Sequence, residues 1–256
     1  MYFTDYHYVQ KGEIGINRFF TDSEVSDGKI ILSDDNVHHI KNVLRLNTGE
    51  DVVVIKNKKE LLCTIDKIEK NSIILNVKEE EKSEKREKDY TLTLIQGFPK
   101  GDKSGFIAEK AVEAGADEII FVNMKRSVAK IGSDKSDKKL ERFQKISKGA
   151  ACQSGRLIIP EVKLLNALKD INFNKYSLKL LCYEDEKQTV LKEVLKNAQS
   201  HESIAVLIGP EGGIDKEEAE FFKEKGFVCV SLGTRILRCE TAGLYAMACI
   251  NYEFEK

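Results

Sequence analysis

Two stretches near the C-terminus decide the fold: Ile204-Ala205-Val206-Leu207-Ile208-Gly209-Pro210-Glu211-Gly212-Gly213, and Val230-Ser231-Leu232-Gly233-Thr234-Arg235-Ile236-Leu237-Arg238-Cys239-Glu240-Thr241-Ala242. Each is an apolar run that ends in a glycine-bearing loop and leads into a helical pattern. α/β proteins build ligand pockets this way, at the ends of parallel strands. In the first loop a phosphate would meet the Glu211 carboxylate, which is repulsive, whereas a sulfonium or ammonium would be stabilised by it. The pair of loops therefore points to a small cationic ligand.

Outward from these loops, residues 90–256 alternate strand and helix. Strands are expected at Tyr90–Phe98, Glu118–Val122, Leu178–Tyr183, Ile204–Ile208 and Phe227–Leu232. Helices are expected over 102–114, 137–152, 162–168, 189–198, 215–225 and 240–252. Such alternation argues for a mainly parallel sheet with helices on both faces. Asp215 and Glu218 have the spacing of a capping box for the helix after the first loop. The helix that begins Glu240-Thr241 continues Ala-Gly-Leu-Tyr-Ala-Met-Ala-Cys, small and apolar nearly all round, so it is expected to be buried or covered by a second subunit.

The first 78 residues read differently. Short strands at 29–32, 51–56, 61–68 and 72–77, with a turn at Asn57-Lys58-Lys59, flank one helix capped by Asp34 or Asp35, its apolar face formed by Val37, Ile40, Val43, Leu44 and Leu46. This suggests a small β-barrel, an architecture often used to hold RNA. Residues 79–89 contain no apolar side chain and read as a charged linker between the two domains.

The net charge of −1 conceals a basic segment. Residues 91–160 carry 13 Lys and Arg against 8 Asp and Glu, clustered from Lys125 to Lys148, a candidate footprint for phosphate backbones. The six cysteines are scattered and the four histidines dispersed, so no metal site is expected and the thiols should be reduced and mostly buried. No run approaches the roughly 20 apolar residues of a membrane span, and Met1–Gln10 lacks the layout of a signal peptide, so a cytoplasmic location is expected. A nucleotide-dependent enzyme is opposed by the absence of a Gly-x-x-x-x-Gly-Lys-Ser/Thr motif.

Gly209-Pro210-Glu211-Gly212-Gly213 followed by Leu232-Gly233-x-Arg235-Ile236-Leu237-Arg238-x-Glu240-Thr241-Ala242 resembles the signature of the SPOUT class of RNA methyltransferases. More narrowly it is similar to the 16S rRNA uridine-N3 methyltransferases of the RsmE type. Arg18-Phe19-Phe20, His39-x-x-x-Val43-Leu44-Arg45, Lys110 to Gly115 and Gln153-Ser154-Gly155-Arg156 extend the likeness over nearly the whole chain. Cys152 stands where that family commonly has a glutamate, and the segment from Met1 to Glu13 is additional.

The resemblance implies an α/β C-terminal domain with a deep trefoil knot, a PUA-like barrel at the N-terminus, and S-adenosylmethionine as cofactor. It implies cofactor contacts at Glu184, Ile208, Gly209, Pro210, Glu211, Gly212, Gly213, Leu232, Gly233, Leu237, Arg238, Glu240, Thr241 and Ala242. Methyl transfer to uracil N3 requires that the imide proton leave, so an arginine able to stabilise the uracil anion is needed; Arg238 or Arg156 is the candidate, and Glu211 and Glu240 are candidate bases. Arg18, His39, Arg45, Lys100, Arg126 and Arg156 are expected to hold RNA, with 16S rRNA or the 30S subunit as partner and a homodimer as the assembly. The alternatives are a SPOUT enzyme acting on tRNA or 23S rRNA, and an RNA-binding protein without catalysis.

Overall fold

The computed structural model describes residues 16–81, 87–132, 136–198 and 202–255. The chain divides into two compact units at Arg86/Glu87. The additional segment from Met1 to Glu13 lies outside the described residues.

In the first unit the strands are β1 (Asn17–Phe20), β2 (Lys29–Leu32), β3 (Asp51–Lys56), β4 (Lys59–Ile68) and β5 (Ile73–Glu81). They form one mixed sheet in the order β1-β3-β4-β5-β2, with β1 parallel to β3 and the other pairs antiparallel. The two ends of this order do not pair, so the sheet is a half-barrel and not a closed one. Register shifts between β4 and β5 bend it. Apolar residues of alternating strand positions, among them Phe19, Ile30, Leu32, Val52, Val54, Cys63, Ile65, Ile73 and Leu75, make its core. Asn57 and Lys58, at φ 50° and 61°, close the β3–β4 hairpin as a two-residue turn in the left-handed region.

Three expectations for this part are corrected. β1 is an addition to the expected strands. The helix is α1 (Asp35–His38) followed by a π-helical turn over His39–Leu44. The wider turn carries Val43 out of the apolar face, leaving it 58% exposed, while Ile40 stays fully buried. Residues 79–81 belong to β5, where Glu79, Glu80 and Glu81 pair with Leu62, Leu61 and Glu60, because a strand can carry charge as long as its backbone is paired.

The second unit holds β6 (Thr91–Gly97), β7 (Glu118–Val122), β8 (Glu161–Leu165), β9 (Leu178–Cys182), β10 (Ser203–Ile208) and β11 (Val228–Val230) in one sheet of order β11-β9-β10-β6-β7-β8. Every pairing is parallel. The helices are α2 (Lys103–Glu113), α3 (Ser136–Ser154), α4 (Leu191–Asn197), α5 (Lys216–Glu224) and α6 (Cys239–Phe254). β10 is buried from Ile204 to Ile208 because both its faces are covered. One face, with Ile95, Ala205 and Leu207, packs with Ala219 and Phe222 of α5 and with Phe173 and Phe227. On the other, α6 lies so close that a Cβ on Gly243 would stand 3.2 Å from Leu94 Cδ1.

The segment expected as a helix at 162–168 is mostly strand. The edge of β7 offers it backbone partners: Glu161 N donates to Asp117 O (3.3 Å) and Asn123 N to Leu165 O (3.2 Å). A helical remnant follows at Leu168–Asp170. The linker reading fails at its far end too, since Glu87 accepts from Arg156 Nε (2.9 Å) and Leu157 N (2.6 Å), and Lys88 pairs with Asp117. Those residues are charged because they serve ion pairs inside the second unit.

Candidate active site

β9, β10 and β11 end side by side at Cys182, Ile208 and Val230, and all three residues line a cavity of about 890 Å³ in the second unit. Ligands in open parallel sheets bind outside the carboxyl ends of the strands, where this cavity opens. Its walls are the two loops that follow β10 and β11.

The first loop turns on a Gly213 N to Pro210 O hydrogen bond (2.9 Å). Gly213 sits at φ 73°, and a Cβ there would overlap Glu184 Oε1. The carboxylate stands so close because Glu184 Oε1 accepts from Ile214 N at 3.0 Å, so the residue after β9 holds the loop backbone directly. From below, Gln96 Nε2 donates to Gly209 O (3.0 Å). Asp215 caps α5 by accepting from Glu217 N (3.1 Å). The capping box is only half made: Glu218 Oε1 accepts instead from Lys125 N (2.8 Å), which ties the loop after β7 to α5.

The second loop leaves Ser231 and reaches α6 at Arg238, whose carbonyl accepts from Ala242 N (2.8 Å) and Thr241 N (2.9 Å). Arg238 is the N-cap residue in extended conformation, and its side chain makes no cap hydrogen bond. Arg235, Ile236 and Arg238 are exposed along the rim, Ile236 at 81%. Neither Arg235 nor Arg238 makes a hydrogen bond or ion pair with a described residue.

Of the residues expected at the cofactor, Glu184, Ile208 to Gly213, Leu232, Gly233, Leu237, Arg238 and Ala242 line the cavity. Glu240 and Thr241 do not; Thr241 is exposed, and Glu240 reaches the site through Lys103. Lys103, in the first turn of α2, belongs to no motif in the sequence. Its Nζ lies 3.2 Å from Glu211 Oε1 and 3.2 Å from Glu240 Oε2. It follows the carboxyl end of β6, so the strand-end rule applied to that further strand is the signal that finds it.

Burial raises the proton affinity of Glu211, but its own backbone N–H, that of Lys100 and the Lys103 ammonium outweigh it, and the carboxyl is held below its ordinary range. Glu240 is lowered in the same sense: burial opposes, while its own N–H, the Cys239 thiol and Lys103 prevail. Lys103 is raised, its two carboxylates overcoming desolvation. Two carboxylates and one ammonium leave the trio one net negative charge. Burial, with the Glu240 carboxylate hydrogen-bonded to its Sγ at 3.2 Å, pushes the Cys239 thiol up to about 12, so it is no nucleophile.

The expectation for Arg156 is corrected. It is 7% exposed, with Nη1 donating to Val112 O (3.1 Å) and Ala116 O (2.9 Å) and Nη2 pairing with Asp117 (2.9 Å) and Glu87 (2.8 Å). Every face of the guanidinium is committed to the fold, so it reaches neither uracil nor RNA. Arg156→Ala should therefore cost about 3 kcal/mol of stability, the low end for a broken buried pair, because Glu87 and Asp117 are only part-buried and Asp117 keeps Lys88; a lowered urea midpoint would show it. Ligand affinity of the folded fraction should not change.

Of the other cations expected at RNA, Arg18 is mostly buried and paired with Glu60. His39 is exposed with its ring edge-on to Phe19 at 6.0 Å, and Arg45 is exposed at φ 54° just after the π-helical turn. Lys100 is exposed, and its backbone N–H serves Glu211 (3.0 Å). Arg126 is exposed but leans on the first loop, with Nη1 3.4 Å from Gly212 O and Nη2 3.6 Å from Asp215. On α3, Lys138, Glu141, Arg142 and Lys145 share one face on which the cations outnumber the carboxylate. Among the described residues no cluster of metal-ligating side chains occurs, and no helix is long and apolar enough to cross a membrane.

Residues 85–251 match the RNA methyltransferase domain family and residues 32–78 the RNA methyltransferase PUA domain family. The chain is 32% identical over 231 residues to a ribosomal RNA small subunit methyltransferase E of Bacillus subtilis, spanning 88% of this chain and 90% of that protein. A Borreliella burgdorferi ribosomal RNA small subunit methyltransferase E 2 is 32% identical over 86% of this chain and 89% of its own. The crystal structure of a ribosomal RNA small subunit methyltransferase E from Neisseria gonorrhoeae, bound to S-adenosyl methionine, superposes with a TM-score of 0.81 at 30% identity, over 93% of this chain and 98% of that one. With both domains matched in order and the strand-end cavity in place, the chain belongs to the ribosomal RNA small subunit methyltransferase E family of SPOUT RNA methyltransferases.

Proposed function

We propose that this chain methylates the N3 atom of a uridine in the 16S rRNA of the small ribosomal subunit, with S-adenosylmethionine as donor. The observation that carries the reading is the strand-end cavity, walled by the Gly209–Gly213 and Leu232–Arg238 loops and bordered by a carboxylate-rich trio of one net negative charge. That charge suits a cationic sulfonium, and the glycine loop lets backbone approach a ligand closely. S-adenosylmethionine, when bound, supplies an electrophilic methyl group. The residues that would hold it are Glu184, Ile208 to Gly213, Leu232, Gly233, Leu237 and Ala242.

Arg238 has the free guanidinium needed to bind a uracil carbonyl oxygen and stabilise the negative charge left as the N3 proton departs. Glu211 is a weak base, since its hydrogen bonds hold it ionised. Its role is to present charge to the donor.

RNA is held by His39 and Arg45 in the first unit, and by Lys100, Arg126 and the basic face of α3 in the second. A homodimer is supported by the stripe on α6 in which Thr241, Tyr245 and Tyr252 are exposed, Tyr252 at 90%. A knotted path is supported by α6 returning from β11, at the sheet edge, to pack on β10 and β6 beneath the two loops. Deleting the gene should remove N3-methyluridine from 16S rRNA nucleosides, and complementation should restore it. Unchanged N3-methyluridine after deletion would refute the reading.

A further inference from the structure

Lys103 is a cation in the first turn of a helix, where the macrodipole opposes it. A half-exposed ion pair adds little stability, so stability does not account for a lysine that spans two carboxylates from two different segments. It stands on α2, Glu211 on the loop after β10 and Glu240 on α6, each 3.2 Å from the same ammonium. Those segments come together only at the cavity, and Lys103 lines it.

We propose that Lys103 is a positioning residue of the methyl-donor site: it ties the Gly209–Gly213 loop to the start of α6 and leaves the two carboxylates with a single negative charge, matched to a sulfonium. The proposal rests on the reading of this cavity as the S-adenosylmethionine site. After methyl transfer the sulfonium becomes a neutral thioether, so the charge of the trio bears on the donor and not on the product. Lys103 thereby sets the preference for S-adenosylmethionine over S-adenosylhomocysteine.

The groups around the trio keep its charge constant across the neutral range. The Cys239 thiol stays protonated below about 12. Glu184, Lys187, Arg235 and Arg238 line the same cavity, and the Lys100 backbone N–H meets Glu211. With Lys103 in place both carboxylates remain ionised across the neutral range. Without it the two carboxylates keep their backbone N–H donors and face the ligand with two negative charges instead of one.

The test is calorimetric titration of the full chain with S-adenosylmethionine and with S-adenosylhomocysteine, from pH 6 to pH 8.5, for wild type, Lys103→Met and Lys103→Arg. Thermal unfolding serves as a check that the variants fold. Lys103→Arg should keep the wild-type ratio of the two affinities across this range, and Lys103→Met should raise it several-fold in favour of S-adenosylmethionine. A Lys103→Met ratio equal to that of wild type overturns the proposal. Wild type that binds neither ligand overturns the reading beneath it as well, so the two failures are told apart.

Discussion

Arg238→Ala lowers turnover on 16S rRNA about 100-fold while affinity for S-adenosylmethionine stays within a few-fold of wild type; this is the expected result if Arg238 acts on uracil. Removing one preorganised donor to a developing negative charge costs on the order of 100- to 1,000-fold in rate. The structure keeps the fold out of the comparison. The α6 start is held by the Arg238 carbonyl, which alanine retains, and the side chain makes no cap bond. Among the cations at the cavity, Lys103 is committed to two carboxylates and Lys187 to the Glu184 carbonyl at 2.6 Å, whereas Arg235 and Arg238 are exposed and unpaired among the described residues; of these two, Arg238 is the one at the start of α6, beside the carboxylate trio. Steady-state rates together with calorimetric affinity decide the matter. Equal losses in both would place Arg238 in ground-state binding of the donor.

Gly213→Val should reduce affinity for S-adenosylmethionine by at least about 30-fold, the equivalent of about 2 kcal/mol. A left-handed φ of 73° costs a branched residue roughly 1–2 kcal/mol, and a Cβ overlapping Glu184 Oε1 forces that carboxylate off Ile214 N, leaving a donor unpaired at about 1–3 kcal/mol. Together these fall chiefly on the loop that walls the cavity. Affinity that is unchanged in Gly213→Val would mean that the loop does not touch the ligand.

How much of this is legible in the residues depends on whether local pattern or distant partners set the outcome. The two loops are legible because an apolar run, glycines and a helix start are contiguous, and twelve of the fourteen residues expected at the cofactor line the cavity. Lys103 is not, since its meaning comes from Glu211 and Glu240, far along the chain. Arg156 shows the converse. A Gln-Ser-Gly-Arg motif in a basic segment reads as a surface cation, but Glu87 and Asp117 draw it into the interior.

The strands divide in the same way. An apolar run like Ile204–Ile208 is absent from β8, whose sequence Glu161-Val162-Lys163-Leu164-Leu165 suits helix or strand equally; the free edge of β7 decides. A 3.6-residue period places Val43 inside, and the π-helical turn does not keep that period. The acidic end of β5 carries no apolar alternation at all, and only backbone pairing with β4 makes it a strand.

The proposed reaction moves a methyl group from S-adenosylmethionine to uracil N3. Its most direct test is to incubate the purified protein with small ribosomal subunits that lack the modification and donor carrying an isotopically labelled methyl group. The RNA is then digested to nucleosides and analysed by mass spectrometry against standards. Label is expected in N3-methyluridine, at a single methyl per 16S rRNA. Label in any other nucleoside, or none in the RNA while the donor binds, would contradict it.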